Sequence, residues 1–219
     1  MNVKPEQAAR VLLFRLRKEM NGAALDTMRY YGRDYARNYG CQIYAIRAMA
    51  REVGVDHPLA EYLFAQDVRE LKIIALWIAD IEQIAPHDVT AWLEGIYNSE
   101  LAEQASHALL SRLPNVATLL VDYATTDAPL VLYALLLAVS RAASLSTPLS
   151  ASTESLTQTV ASIVDRHPNN ALIARAAAAL LGALPLSDTA LGGVLQHLAA
   201  NPTAELVREE LIWRCESLQ

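Results

Sequence analysis

Nine prolines punctuate the chain, at Pro5, Pro58, Pro86, Pro114, Pro129, Pro148, Pro168, Pro185 and Pro202, and each fits the opening of a helical segment. That placement constrains the fold more than any other feature. Proline has no amide donor and clashes with the preceding turn, so a helix accepts it only in the first turn, where the donor would go unused. Pro58, Pro86 and Pro114 are 28 residues apart, and the later prolines follow at intervals of 15 to 20. Each of these intervals holds a helix and a turn, and a pair of them spans about one helical repeat. Polar residues suited to helix starts stand beside several prolines: Asp56, His57, Asp88, Asn115, Asp127, Asn169, Ser187 and Asn201.

Between the prolines, Ala, Leu, Arg and Glu dominate, and no long stretch alternates apolar and polar residues as a half-buried strand would. The segments "AEYLFAQDVRELKIIALWIAD" and "LIARAAAALLGAL" read as helices with broad apolar faces. The alanine run 176–179 is small on all sides, which suits a helix packed tightly between neighbours. The expectation is an all-α, HEAT-like array of roughly a dozen helices in antiparallel pairs, with a compact helical bundle as the alternative. No Gly-rich linker divides the chain, so residues 1–219 read as a single domain. Its weak point is the Ser/Thr-rich stretch "SLSTPLSASTES" at 144–155.

Two cysteines, Cys41 and Cys215, are too few for a disulfide framework and read as free thiols in a reducing compartment. The first apolar run, 11–14, is too short for a signal-peptide core, and the uncharged apolar stretch 128–140 is too short to span a bilayer. These features point to a cytoplasmic protein with no membrane partner. The formal net charge is −6, yet residues 10–51 hold nine Lys and Arg against Glu19, Asp26 and Asp34. A basic end on an acidic body can face a polyanion, and it can equally be a solvated helix surface. Its densest part is "MRYYGRDYARNYGC", residues 28–41, with four tyrosines and three arginines. Arginine and tyrosine grip phosphates and stack on bases. The plainer reading makes Tyr30, Tyr31, Tyr35, Tyr39 and Tyr44 helix-packing aromatics with wet hydroxyls.

The stretch "YGCQIYAIRAMAREVGVDHPLAEYLFAQDVRELKIIALWIAD", residues 39–80, resembles the DNA alkylation repair enzymes built from HEAT-like repeats. The matching features are the Tyr39-Gly40 opening, Arg47 seven residues after the glycine, the Leu63-Phe64 pair, and Arg69-Glu70 followed by Ala75. The resemblance implies a DNA glycosylase that releases N3- and N7-alkylated purines. Such chemistry uses aromatic walls for cation–π contact, a carboxylate that stabilises an oxocarbenium-like sugar, and an arginine on the neighbouring phosphate.

Carried over by position, the family's catalytic Trp and Asp fall on Ser99 and Glu103, its phosphate-anchoring arginine at or near Tyr133, and its second aromatic wall near Ala179. The arginine that usually follows that wall is replaced by Gly182. Glu103 is thus the candidate catalytic carboxylate, and a lone surface carboxylate is the plainer reading. Gln42 and Arg47 match backbone-contacting positions of the family, and Arg33 and Arg37 precede them. These four are the candidate nucleic-acid-binding residues, with double-stranded DNA as the implied partner.

His57, His87, His107, His167 and His197 have no second ligand at metal spacing, and no cofactor motif occurs, so neither a metal nor a cofactor is expected. Two functional classes stay open. One is a DNA-binding relative of the glycosylases with lost or reduced excision. The other is a non-catalytic scaffold that holds a protein partner on a concave face.

Overall fold

The computed structural model of the protein describes residues 4–30, 35–85, 87–167 and 169–185, with residues 193, 205–207 and 209 beyond them. Two compact units divide the chain at Leu109–Leu110. In the first lie α1 (Pro5–Lys18), α2 (Gly22–Tyr30), α3 (Ile43–Val53), α4 (His57–Phe64), α5 (Arg69–Ile78), α6 (Val89–Glu94) and α7 (Ser99–Ala108). In the second lie α8 (Val116–Tyr123), α9 (Pro129–Ser144), α10 (Thr153–Arg166) and α11 (Ala171–Ala183). Short 3-10 turns cover Ile81–Gln83 and Leu110–Arg112, and no strand occurs among the described residues.

Proline and capping chemistry set the boundaries. Pro5 and Pro129 open α1 and α9, and Pro58 sits in the first turn of α4. Asp56 accepts from the Leu59 amide, Asn98 from Leu101, and Asn170 from both Leu172 and Ile173, pairing amides that have no intrahelical partner. Two expected caps move by one residue. Asn170 caps α11 while Asn169 takes a left-handed φ of 67°. Ala128 precedes α9, and Asp127 instead accepts from Arg166. Pro148 is also displaced: it lies in the α9–α10 connection, and Ser152 caps α10. Pro86, Pro168 and Pro202 lie outside the described residues.

Each unit has one central helix. In α5 every residue except Trp77 is buried, and the helix packs against α1, α3, α4 and α7. In the second unit α9 buries ten of its sixteen residues against α8 and α11, and the small face Ala176, Ala177, Ala178 of α11 is fully enclosed. The stretch 144–155 is the α9–α10 connection inside this unit. No helix among the described residues is long and apolar enough to cross a membrane.

The chain between α2 and α3 is not helical from residue 35 to 42, and Gly40 within it takes φ 69°. An added Cβ there would press on the Asn21 backbone carbonyl, so the position requires glycine. This close approach, with the Asn21 amide donating to the Tyr39 carbonyl at 2.9 Å, ties the start of α2 to the segment that follows it.

Candidate DNA interface

The segment 35–42 carries two of the four sequence-predicted binding residues, Arg37 and Gln42, and a buried ionic cluster fixes its course. Arg69, at the start of α5, is 1% exposed. Its guanidinium donates to both carboxylate oxygens of Glu100 at 2.8 and 2.7 Å, to Glu70 at 3.1 Å and to the Cys41 carbonyl at 2.9 Å. Glu70 in turn accepts from the backbone amides of Tyr39 and Cys41. The Tyr35 hydroxyl donates its proton to Glu100 at 2.8 Å and lies 3.2 Å from the Asn98 side-chain oxygen. The backbone amide of Arg69 donates to the Arg37 carbonyl at 2.9 Å. The segment is thereby bonded to the starts of α5 and α7 at four of its residues, Tyr35, Arg37, Tyr39 and Cys41.

Two carboxylates face one guanidinium, so the remaining negative charge is held by the tyrosine O–H and the backbone amides. Burial opposes the charge on Arg69, but the Glu100 and Glu70 carboxylates outweigh it and hold the group charged. Burial, then the Glu100 charge, pushes the Tyr35 hydroxyl well above its ordinary range. Burial, then Glu70, pushes the Cys41 thiol up to about 12, which keeps it protonated and unreactive. The tyrosines therefore divide. Tyr35 is half-buried and its hydroxyl is a hydrogen-bond donor to Glu100, whereas Tyr30 and Tyr44 are 84% and 75% exposed. Tyr31 lies outside the described residues.

The four binding candidates separate in space. Arg37 is exposed and lines a cleft of about 460 Å³ together with Arg17 from α1 and Arg29 from α2. None of these three side chains has an ion pair among the described residues, unlike Arg15, which pairs with Glu52 at 2.8 Å. Gln42 lies outside that cleft, in a depression it shares with Lys18, Asn21 and Tyr44. Arg47 stands apart on α3, its guanidinium 4.9 Å from the centre of the Trp77 ring, which meets His107 edge-on at 5.4 Å. That stack is worth roughly 0.5–2 kcal/mol and fixes the guanidinium plane. Arg33 lies outside the described residues.

Arg17 and Arg29 stood inside the basic run without being singled out. Their shared cleft is formed with residues 35–39, which no local sequence pattern relates to α1 or α2.

Ser99 and Glu103 occupy α7, Ser99 as its first residue, and both are half-buried. Tyr133 is a buried residue of α9 and Ala179 a half-buried residue of α11, both in the second unit. Ser99, Glu103 and Ala179 carry no aromatic ring, and the Tyr133 ring is buried in the core of its own unit. Among the described residues no group of three or more His, Cys, Asp or Glu could hold a metal ion.

The family model described as DNA alkylation repair enzyme matches residues 12–131, more than half of the chain. The chain belongs to the DNA alkylation repair enzyme family. No curated protein matches it. A solved structure aligns with a TM-score of 0.68 over 92% of this chain and 93% of its own, at 17% identity. That structure is described as a new family of proteins related to the HEAT-like repeat DNA glycosylases with affinity for branched DNA structures. At this identity the match establishes the fold: the family member described here is an all-α, HEAT-like repeat protein.

Replacing Arg69 by Met should lower stability by about 3–5 kcal/mol, because Glu70 and Glu100 would stay buried without a cation. At roughly 2–4 °C per kcal/mol for a chain of this size, a melting curve should shift down by about 6–20 °C. A shift within ~2 °C would show that the cluster does not hold the segment.

Proposed function

We propose that this member of the DNA alkylation repair family binds DNA through the backbone, weakly and without sequence preference, and has lost or reduced excision of alkylated purines. The observation that carries the reading is the division of its arginines. Arg69 is consumed by the fold, whereas Arg17, Arg29 and Arg37 lie exposed from three different elements with no carboxylate partner among the described residues. Unpaired arginines held at the surface of an acidic protein have a phosphate backbone as their natural counterion. The related structure's affinity for branched DNA supports a branched form as the preferred target. Branched junctions crowd several backbones together, which suits a reader of phosphates rather than of base edges.

The catalytic half of the reading rests on Ser99 and Glu103. An active site of this kind presents an aromatic face and a short carboxylate on one helix face. Serine offers no ring, and glutamate puts its charge on a longer arm. Each lost stacking contact of ~1–3 kcal/mol slows the step by roughly five- to 150-fold at 1.36 kcal/mol per tenfold.

Two measurements test this. Affinity for a labelled four-way junction should fall with salt, each phosphate contact contributing a log–log slope of about −0.9. Changing Arg17, Arg29 and Arg37 together to Ala should flatten that slope by up to about three contacts. Absence of wild-type binding at low salt, or an unchanged slope in the triple variant, would move the protein to the scaffold class.

A base-release assay on alkylated DNA should show little or no N3-methyladenine or N7-methylguanine, and any residual release should vanish in Glu103→Gln. Activity gained by Ser99→Trp with Glu103→Asp would mark a decayed glycosylase. Robust wild-type release would contradict the reading.

A further inference from the structure

We infer that the cleft between α1, α2 and the segment 35–42 is a site for a phosphomonoester, as carried by the phosphorylated end of a DNA strand or by a free nucleotide. The inference rests on the DNA-binding reading and narrows it to one feature of the nucleic acid. Three observations support it. The first is convergence. Arg17 comes from the last turn of α1, Arg29 from the last turn of α2, and Arg37 from the extended segment, and all three line one recess. Such a focus differs from the linear spacing with which a surface follows a duplex backbone.

The second is the lining. Apart from the arginines, the cleft is walled by Leu25, Asn38 and Tyr39 together with Tyr35 and Ala36, and no Asp, Glu or His of the described residues lines it. The Tyr35 hydroxyl is committed to Glu100, and that carboxylate is itself paired by Arg69. The third is size. At about 460 Å³ the recess falls within the ~300–1,000 Å³ range of small-ligand pockets. That leaves room for a nucleotide unit and not only for one phosphate oxygen.

Charge then selects the ligand. An internal phosphodiester carries one negative charge. A terminal phosphomonoester, with a second pKa near 6, carries about −1.5 to −2 at pH 7 and presents three acceptor oxygens. Guanidinium forks bind phosphate with two parallel N–H donors each, so three converging forks match the oxygens of a terminal group better than those of an esterified one. The wall has two independent anchors. The Asn21 amide bonds to the Tyr39 carbonyl, and the Asn38 side chain reaches Met28 of α2 at 3.2 Å. The arginines thus project from elements already fastened to one another.

The discriminating experiment measures binding of the full chain to three DNA ligands of one sequence: a duplex with 5′-phosphate ends, the same duplex with 5′-hydroxyl ends, and a duplex closed by hairpins. Deoxyadenosine monophosphate and deoxyadenosine are run as competitors. The phosphorylated duplex should bind roughly fivefold or more tightly than the hydroxyl form at pH 7.5. The advantage should disappear at pH 5, where the monoester loses its second charge, and in Arg29→Gln at pH 7.5. The monophosphate, and not the nucleoside, should compete.

Equal binding of all three duplexes, with no competition by the monophosphate, would overturn the inference and leave the backbone reading standing. Binding of the monophosphate without binding of any duplex would support the cleft as a phosphomonoester site and overturn the DNA reading. A phosphate-end advantage that survives Arg29→Gln and Arg37→Gln would place the site elsewhere and overturn the assignment.

Discussion

The bidentate pair between Arg69 and Glu100 is the contact on which the first unit depends. A guanidinium and two carboxylates in a dry core are costly to desolvate, and a well-packed apolar cluster of the same volume would be at least as stable. What the ions supply is connectivity. Arg69 reaches α7 through Glu100 and the extended segment through the Cys41 carbonyl, while Glu70 takes the amides of Tyr39 and Cys41. An irregular stretch between two helices would otherwise leave backbone groups unpaired near the core. Here they are satisfied by charges, and the course of 35–42 follows from where those charges stand.

That course explains why the exposed arginines can act together. Residue 37 is held at its carbonyl by the Arg69 amide, so its side chain leaves the segment on the cleft side at a fixed position. Gly40 allows α2 to close against the same segment and brings Arg29 alongside. One arginine is therefore spent inside the protein to place others outside it. In an acidic chain this local arrangement, rather than net charge, decides what the surface attracts. On the proposed reading, Ser99 and Glu103 of α7 stand where the family's ring and short carboxylate fall by position. A fold that keeps its phosphate contacts while its base-handling groups change is the physical picture that unites the two halves of the proposal.

Much of this was legible from residue order. Pro5, Pro58 and Pro129 mark helix starts because the missing amide leaves them no other helical place. Pro148 misled because a proline also suits an extended loop, and the Ser152 hydroxyl capped the next helix instead. Arg69-Glu70 was visible as a family element, but Glu100, its decisive partner, lies 31 residues away and carries no local signal. Tyr35 looked like its neighbours for the same reason: only the tertiary fold brings its hydroxyl to Glu100. Arg47 was read as a phosphate contact, and its stacking on Trp77 depended on the α3–α5 packing, which periodicity does not specify. Arg17 and Arg29 were not separable from the rest of the basic run because they are 12 residues apart on different helices, and their shared cleft exists only once residues 35–39 are in place beside them.

The most direct test of this division among the arginines is nuclear magnetic resonance of their side-chain Nε–H groups during titration with a four-way DNA junction. The account predicts that the Arg17, Arg29 and Arg37 signals shift progressively to saturation. The Arg69 signal should stay in place and exchange slowly with water, as a buried donor bonded to Glu100 must. Shifts confined to Arg141, Arg166 and Arg175 of the second unit, or a junction that binds without moving the three cleft arginines, would contradict it.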